Sequence, residues 1–385
     1  MKVLIDRLDH FGKGITTINN KICFIDNALP GEVVDIKITN EKKKYLEAKV
    51  VKYIKKSKNR VKEVCPYTNI CGGCNLNHMK YEDENKFKED KVKDLINKFS
   101  NLDENLVKDI VYKDEYNYRN KVIFHIKKKK LGFYKKKSND IVQIDKCLLL
   151  DNKINEIIPK LKEIIKESNI DKIEVKVSND SKEILLSTDK DKNIITNISN
   201  YKYILSSNTF FQVNKYVTEL LYNEILENIK KYKSKNVLDL YCGSGTIGIY
   251  ISKYVNKILG VEINKQSIID ANKNKKLNNI KNIKFIEGKV FDIIKDIKDK
   301  YDTIIIDPPR SGLDKDTINS ILKINPKTII YVSCDPTTLS RDLNILKDKY
   351  NIEYIKPFNM FPKTYHVECI TVLRNRGVVW INIWK

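Results

Sequence analysis

The tetrad Ser333-Cys334-Asp335-Pro336 follows the apolar run at 328–332, which puts a thiol at the end of a buried strand and just ahead of a helix start. A helix N-terminus lowers a thiol pKa, so the position predicts a thiolate nucleophile. The competing role for such a cysteine is that of a small apolar filler. Glu368 ends the stretch FPKTYHVE on a later strand, and adjacent strands would bring its carboxylate beside the thiol. A nucleophile paired with a proton acceptor suits covalent catalysis. Cys242 and Cys369 read as packing residues.

Residues 237–248 combine a buried strand, a glycine-rich turn and a helix start. Gly243 and Gly245 let the backbone turn tightly and approach a ligand with no Cβ in the way. The next strand ends in Glu262, a carboxylate able to accept hydrogen bonds from both hydroxyls of a ribose. The turn lacks the lysine and hydroxyl pair of a phosphate-binding loop. A dinucleotide and adenosylmethionine both fit this much. Asp307-Pro308-Pro309-Arg310 closes a further strand, and its two prolines fix a rigid exit loop from which Asp307 would face a ligand.

Cys65, Cys71, Cys74 and the distant Cys147 form a second chemical group, with Gly72-Gly73 free to curl the loop inward. Four sulfur ligands are compatible with zinc or with an iron–sulfur cluster, and the spacing alone does not choose.

The elements that must position these residues fall into three regions, expected at 1–56, 57–207 and 208–385. The first has short alternating runs with tight turns, the pattern of a small closed barrel. The second holds the cysteine-rich loop, a helix from Tyr81 to Phe99 that would pack on the catalytic domain, and an α+β portion. Within that portion, lysine runs flank Leu131–Tyr134 as in a hairpin with a basic rim. The third alternates strands and helices from a helix at 214–230 onward. Apolar strand candidates at 237–241, 258–263, 283–286, 303–306, 329–333 and 367–373 predict a mostly parallel sheet covered on both faces. Ligands bind beyond the carboxyl ends of such strands, where the polar motifs lie.

Lys and Arg number 72 against 50 Asp and Glu, a formal net charge of +22 that favours polyanions, although lysine-rich composition alone would also produce it. Eight cysteines are too few and too unevenly spread for a disulfide scaffold in 385 residues. No apolar run approaches the roughly 20 residues of a membrane span. The acidic N-terminal stretch lacks the apolar core of a signal peptide, and a reducing cytoplasm is the expected location.

Taken together the motifs resemble the RNA uracil-5 methyltransferases that carry an iron–sulfur cluster and an N-terminal TRAM domain, the ribosomal RNA enzymes in particular. The resemblance runs from Asp6 to about Arg374. It rests on ALPGE (Ala28 to Glu32), CPYTNICGGC (Cys65 to Cys74), YRNK (Tyr118 to Lys121), FFQVN (Phe210 to Asn214) and LYCGSGTIG (Leu240 to Gly248). DPPRSG (Asp307 to Gly312), SCDPTTLSRD (Ser333 to Asp342) and HVE (His366 to Glu368) complete it.

The resemblance implies an OB-like TRAM barrel, a small α+β central domain and a Rossmann-like class I methyltransferase domain. It makes Cys334 the nucleophile and Glu368 the base. Gln212, Tyr241, Glu262 and Asp307 then contact S-adenosylmethionine alongside Gly243, and Cys65, Cys71, Cys74 and Cys147 hold a [4Fe-4S] cluster. It further implies a monomer acting on a flipped-out uridine of 23S ribosomal RNA, with transfer RNA the rival substrate. A non-catalytic RNA-binding factor would leave the intact catalytic motifs idle, and a nicotinamide oxidoreductase would leave Cys334 and Asp307 unused. Asn75 and Asn77 stand where the family usually has Gln. The tail after Arg374, with Trp380 and Trp384, matches no part of the family.

Overall fold

The computed structural model describes residues 1–189, 192–207 and 209–377. The tail that carries Trp380 and Trp384 lies outside the described residues from 378 onward.

The N-terminal region is a six-stranded sheet spanning Lys2 to Lys55, curled around Ile5, Ile25, Val34, Ile36 and Ala48. One of its strands, Gly14–Ile18, lies where the sequence signalled only a glycine turn. Three of its residues are buried in succession, so the alternation that betrays a strand is missing there. At the end of the barrel Arg60 forks onto Glu32 with bonds of 2.6 and 2.9 Å, closing the buried turn that ALPGE forms. Such a bidentate pair fixes geometry as well as charge.

The central region is a five-stranded antiparallel sheet covered by the helix Asn152–Glu167. Its lysine-rimmed hairpin pairs Lys121–Lys127 with Lys130–Tyr134. The turn falls on Lys128 and Lys129, both at positive φ, so Leu131–Tyr134 forms a strand and not the tip. A separate hairpin, Ile194–Ile198 with Tyr201–Leu205, packs into the core of the catalytic sheet.

That catalytic sheet has seven strands: β1 (Asn236–Leu240), β2 (Lys257–Glu262), β3 (Ile283–Glu287), β4 (Thr303–Ile306), β5 (Thr328–Ser333), β6 (Tyr350–Phe358) and β7 (Glu368–Asn375). Their spatial order is β3-β2-β1-β4-β5-β7-β6. The first five are parallel; β7 is antiparallel to both β5 and β6. Apolar side chains fill both faces, which explains why the inner strands read as unbroken hydrophobic runs. The helix Tyr81–Ser100 adds Val92 and Ile96 to one of these cores and docks on the helix Pro336–Leu346. Strand β6, at the sheet's end, carries Pro357, which removes a ladder donor and is tolerated because the strand is an edge. Among the described residues no helix is long and apolar enough to cross a membrane.

Candidate active site

The parallel register places the polar motifs on one edge. Leu240 pairs with both Val261 and Ile306, so Tyr241, Glu262 and Asp307 emerge together beyond the carboxyl ends of β1, β2 and β4. Ser333 of β5 pairs with Cys369 of β7. The next step along that antiparallel ladder sets Cys334 opposite Glu368, so a strand running the other way delivers a carboxylate to the same edge. All five residues line one cavity of about 980 Å³, together with Gln212 and Gly243.

The glycine turn is shaped for a ligand. Tyr241 holds a left-handed φ of 62°, uncommon for a residue with a side chain, and Gly243 and Gly245 follow at 53° and 76°. A Cβ on Gly243 would meet open space, whereas one on Gly245 would strike Phe285 at 2.5 Å. Gly245 thus serves packing and Gly243 faces the cavity. Glu262 is held by two backbone N–H groups, Gly243 donating to Oε2 at 3.1 Å and Asn264 to Oε1 at 2.8 Å. Each of its oxygens keeps a lone pair for a further donor. Behind the turn, fully buried Asp239 accepts from Gly248 N through Oδ2 at 3.0 Å, while among the described residues its Oδ1 has no partner. Burial pushes Asp239 up to about 7. The one acid inside the apolar VLDL run was the available signal for it, and sequence reasoning passed over it.

Gln212 comes from the segment joining the hairpin at 194–205 to the helix Val217–Lys231. Asn120 donates to its carbonyl at 3.1 Å, and buried Lys176 donates to the carbonyls of Ser206, Ser207 and Thr209 just upstream.

The electrostatics of the catalytic pair differ from the sequence expectation. Cys334 does sit ahead of a helix, Pro336–Leu346, whose N-cap Asp335 accepts from Thr337 N. Its thiol is nevertheless pushed up to about 12, by burial first and then by the neighbouring carboxylate of Glu368; Arg310 opposes this, and Asp307 and Asp335 add to it. The expected lowering by the helix start is therefore corrected: burial and the neighbouring carboxylates outweigh it and favour the thiol. Glu368 is itself raised well above the ordinary carboxylate range by burial and by Asp307, with Arg310 pulling the other way. Burial raises Asp307 to about 7. Cys242 and Cys369 are buried.

The loop between β6 and β7, which leads into Glu368, is anchored from several sides. Lys88, wholly buried in the helix Tyr81–Ser100, donates to Glu84 at 2.8 Å, Asn359 at 2.6 Å and the Phe361 carbonyl at 3.0 Å. Lys363 N donates to Glu84, and its ammonium pairs with Glu84 and Glu115. Lys91 donates to the Tyr365 carbonyl and Tyr118 to that of Pro362. His366 is held neutral, its pKa lowered to about 4 by burial and by Arg310 and nearby lysines.

Cys65, Cys71, Cys74 and Cys147 line the far wall of the same cavity and are free thiols. Gly72 N donates to the Tyr134 carbonyl at 2.9 Å, docking the loop on the central hairpin. Burial and the neighbouring thiols push Cys74 up strongly, and Cys147 rises to about 11, chiefly from burial. Among the described residues no group of three or more His, Cys, Asp or Glu side chains is arranged to hold a metal ion.

A seven-stranded sheet with one antiparallel strand, a glycine turn and an acidic second strand end define a class I, adenosylmethionine-dependent methyltransferase. The profile of the tRNA (uracil-5-)-methyltransferase family matches residues 169–376, and that of the TRAM domain residues 1–51. An uncharacterized RNA methyltransferase of Clostridium acetobutylicum is 34% identical, with 97% of this chain and 96% of that protein covered. One from Aquifex aeolicus is 33% identical over 97% and 98%. Among solved structures, the Pyrococcus abyssi tRNA (uracil-54, C5)-methyltransferase in complex with S-adenosyl-L-homocysteine superposes with a TM-score of 0.81 at 25% identity, covering 97% of this chain and 99% of that one. The chain belongs to the RNA uracil-5 methyltransferase family and carries a TRAM domain.

Proposed function

We propose that Cys334 adds to C6 of a uridine in transfer RNA and that Glu368 then removes the C5 proton. The observation that carries this reading is the meeting of nucleophile and carboxylate on one strand edge, in one cavity with Gly243, Glu262 and Asp307. Uracil C5 is a poor nucleophile until a thiolate adds at C6 and sends electron density to C5. The thiol proton passes to Asp307, whose pKa of about 7 leaves it substantially ionised at neutral pH. Methyl transfer follows, Glu368 takes the C5 proton, and elimination expels the sulfur of Cys334 and restores the ring.

Bound adenosylmethionine supplies an activated methyl group and the positive sulfonium charge. Glu262 accepts from its ribose, Gly243 leaves room for it, and Gln212, Tyr241 and Asp307 complete its pocket.

Transfer RNA is favoured because the matching family profile and the superposing Pyrococcus enzyme both bear tRNA names. The four cysteines support a second reading, 23S ribosomal RNA, through the resemblance noted in the sequence. Methylating undermethylated transfer and ribosomal RNA with labelled adenosylmethionine, then mapping the labelled nucleotide, separates the two. Label in ribosomal RNA alone overturns the transfer RNA reading, and label at no uracil C5 overturns both.

Cys65, Cys71, Cys74 and Cys147 are proposed as the ligands of a [4Fe-4S] cluster. An all-sulfur donor set lining one cavity is compatible with such a group, and the resemblance noted in the sequence is what favours a cluster over zinc. The cluster would tie the cysteine loop to the central domain, and the reaction requires no redox step from it. A cytoplasmic monomer is proposed as the working form, on the resemblance noted in the sequence.

A further inference from the structure

A rail of aromatic rings leads out of the active-site cavity. Phe361 lines that cavity. Its ring meets His366 edge-on at 6.0 Å, His366 lies 4.3 Å from Tyr365, and Tyr365 meets Phe11 of the TRAM domain edge-on at 5.2 Å. The outermost ring is 57% exposed, unusual for phenylalanine.

Phe11 is not a loose tip. Asp9 Oδ1 accepts from Phe11 N at 2.9 Å and Lys13 N at 2.7 Å, clasping the turn. Gly12 sits so close to Leu76 that a Cβ there would lie 2.4 Å from its Cδ2. His10 contacts Asp94 of the helix Tyr81–Ser100 at 4.0 Å. The fold therefore spends three contacts on holding an apolar ring in water. Lys91 lies 5.1 Å from the Tyr365 ring, and Arg310 and Lys91 are cations within reach of His366, with Asp335 also in reach. An exposed ring at the end of a rail that reaches the active-site cavity, with exposed Arg310 lining that cavity, matches a nucleotide strand: the ring takes a base and the cation is available to a phosphate.

We propose that Phe11, backed by Tyr365, is the stacking platform for the base adjacent to the uridine that enters the cavity. This rests on the reading of the cavity as a uracil methylation site. The TRAM domain then sets the strand's register as well as gripping it, because the ring's distance from Cys334 fixes which neighbour is stacked. Expelling a base from its own stack costs energy, and a replacement stack recovers part of it.

The test uses the full-length protein with S-adenosylhomocysteine and a single-stranded RNA nonamer having uridine at its centre. 2-Aminopurine occupies either flanking position, and a terminal dye reports binding by anisotropy. At saturation the wild type quenches 2-aminopurine on one side of the uridine. Phe11→Ala relieves that quenching and weakens binding about tenfold, the scale expected for one lost base–aromatic stack; Phe11→Tyr preserves both. The exposed position keeps Phe11→Ala folded, which an unchanged melting curve and unchanged adenosylhomocysteine affinity verify. Absence of quenching on either side, quenching indifferent to Phe11→Ala, or no binding of the nonamer overturns the platform. Methyl incorporation into undermethylated RNA is measured separately with the wild type. Incorporation without quenching sinks the platform alone, whereas quenching without incorporation at uracil sinks the assigned reaction and leaves an RNA-stacking surface.

Discussion

The carboxyl of Asp307 raises the pKa of Glu368, adding to the effect of burial, and the two share the wall of the cavity that holds Cys334. In the proposed cycle Asp307 and Glu368 each accept a proton and Cys334 gives one up, and each carboxylate disfavours the negative charge of its neighbours.

Cys334→Ala removes the only atom proposed to bond the base. Methyl transfer should fall by about 10³-fold or more, with adenosylmethionine affinity within about twofold of wild type. Incorporation of labelled methyl beside equilibrium dialysis of the cofactor decides it, and retained turnover would take Cys334 out of the mechanism.

Glu368→Gln should stall the cycle after methyl transfer, because elimination needs the C5 proton gone. A protein–RNA adduct then accumulates and survives a denaturing gel. A variant that is inactive without an adduct would place the proton acceptor elsewhere.

The pH profile follows from the raised carboxyl and thiol values. Asp307 near 7 must be ionised to take the thiol proton, and a thiol near 12 becomes more ionised at every step toward alkaline pH. The kcat/KM for RNA should rise from pH 6 through 8 with an inflection near 7, and Asp307→Asn should remove that inflection. A rate flat between pH 6 and 8 would contradict the site's electrostatics.

Stability should run the opposite way. Asp239 and Asp307 have folded values of about 7 against an ordinary 3.8, so between these limits the folded chain binds more protons than the unfolded. Their contribution is complete at low pH and is lost as pH climbs from about 4 to 7. Asp239→Asn should flatten that decline in urea midpoints measured from pH 4.5 to 7.5; an unchanged slope would show that burial does not perturb the group.

Lys88→Met breaks a buried ion pair while leaving Glu84 in place. Loss of one buried partner costs about 3–5 kcal/mol, and urea unfolding should register a drop of that order. The double variant Glu84→Gln/Lys88→Met should recover part of it; equal loss in both would mean the pair is not the source.

Much of this site was legible because its strands are apolar runs ending in polar motifs. The ends of β1, β2, β4 and β5 could be marked from residues such as Glu262, Asp307 and Cys334 with no knowledge of the fold. Strand β6 escaped notice, since YNIEYIKPF alternates weakly, contains a proline and lies at an edge, where the pattern is least constrained. The charge state of Cys334 was misjudged for another reason. A helix start is visible locally, whereas the carboxylates that outweigh it arrive from strands far away in the sequence. Lys88 was unreadable on the same ground: its partner Asn359 is 271 positions distant. One lysine among so many gives no sign of being dry.

The pairing of Ser333 with Cys369 has one more consequence. The gap between attacking atom and proton acceptor is measured out by a backbone ladder, not by a loop. A slip of the ladder by a single position would turn Glu368 to the opposite side of the sheet. Phase along this ladder is therefore what the site depends on, and a hunt for substitutions that silence it cleanly belongs in the β5–β7 seam.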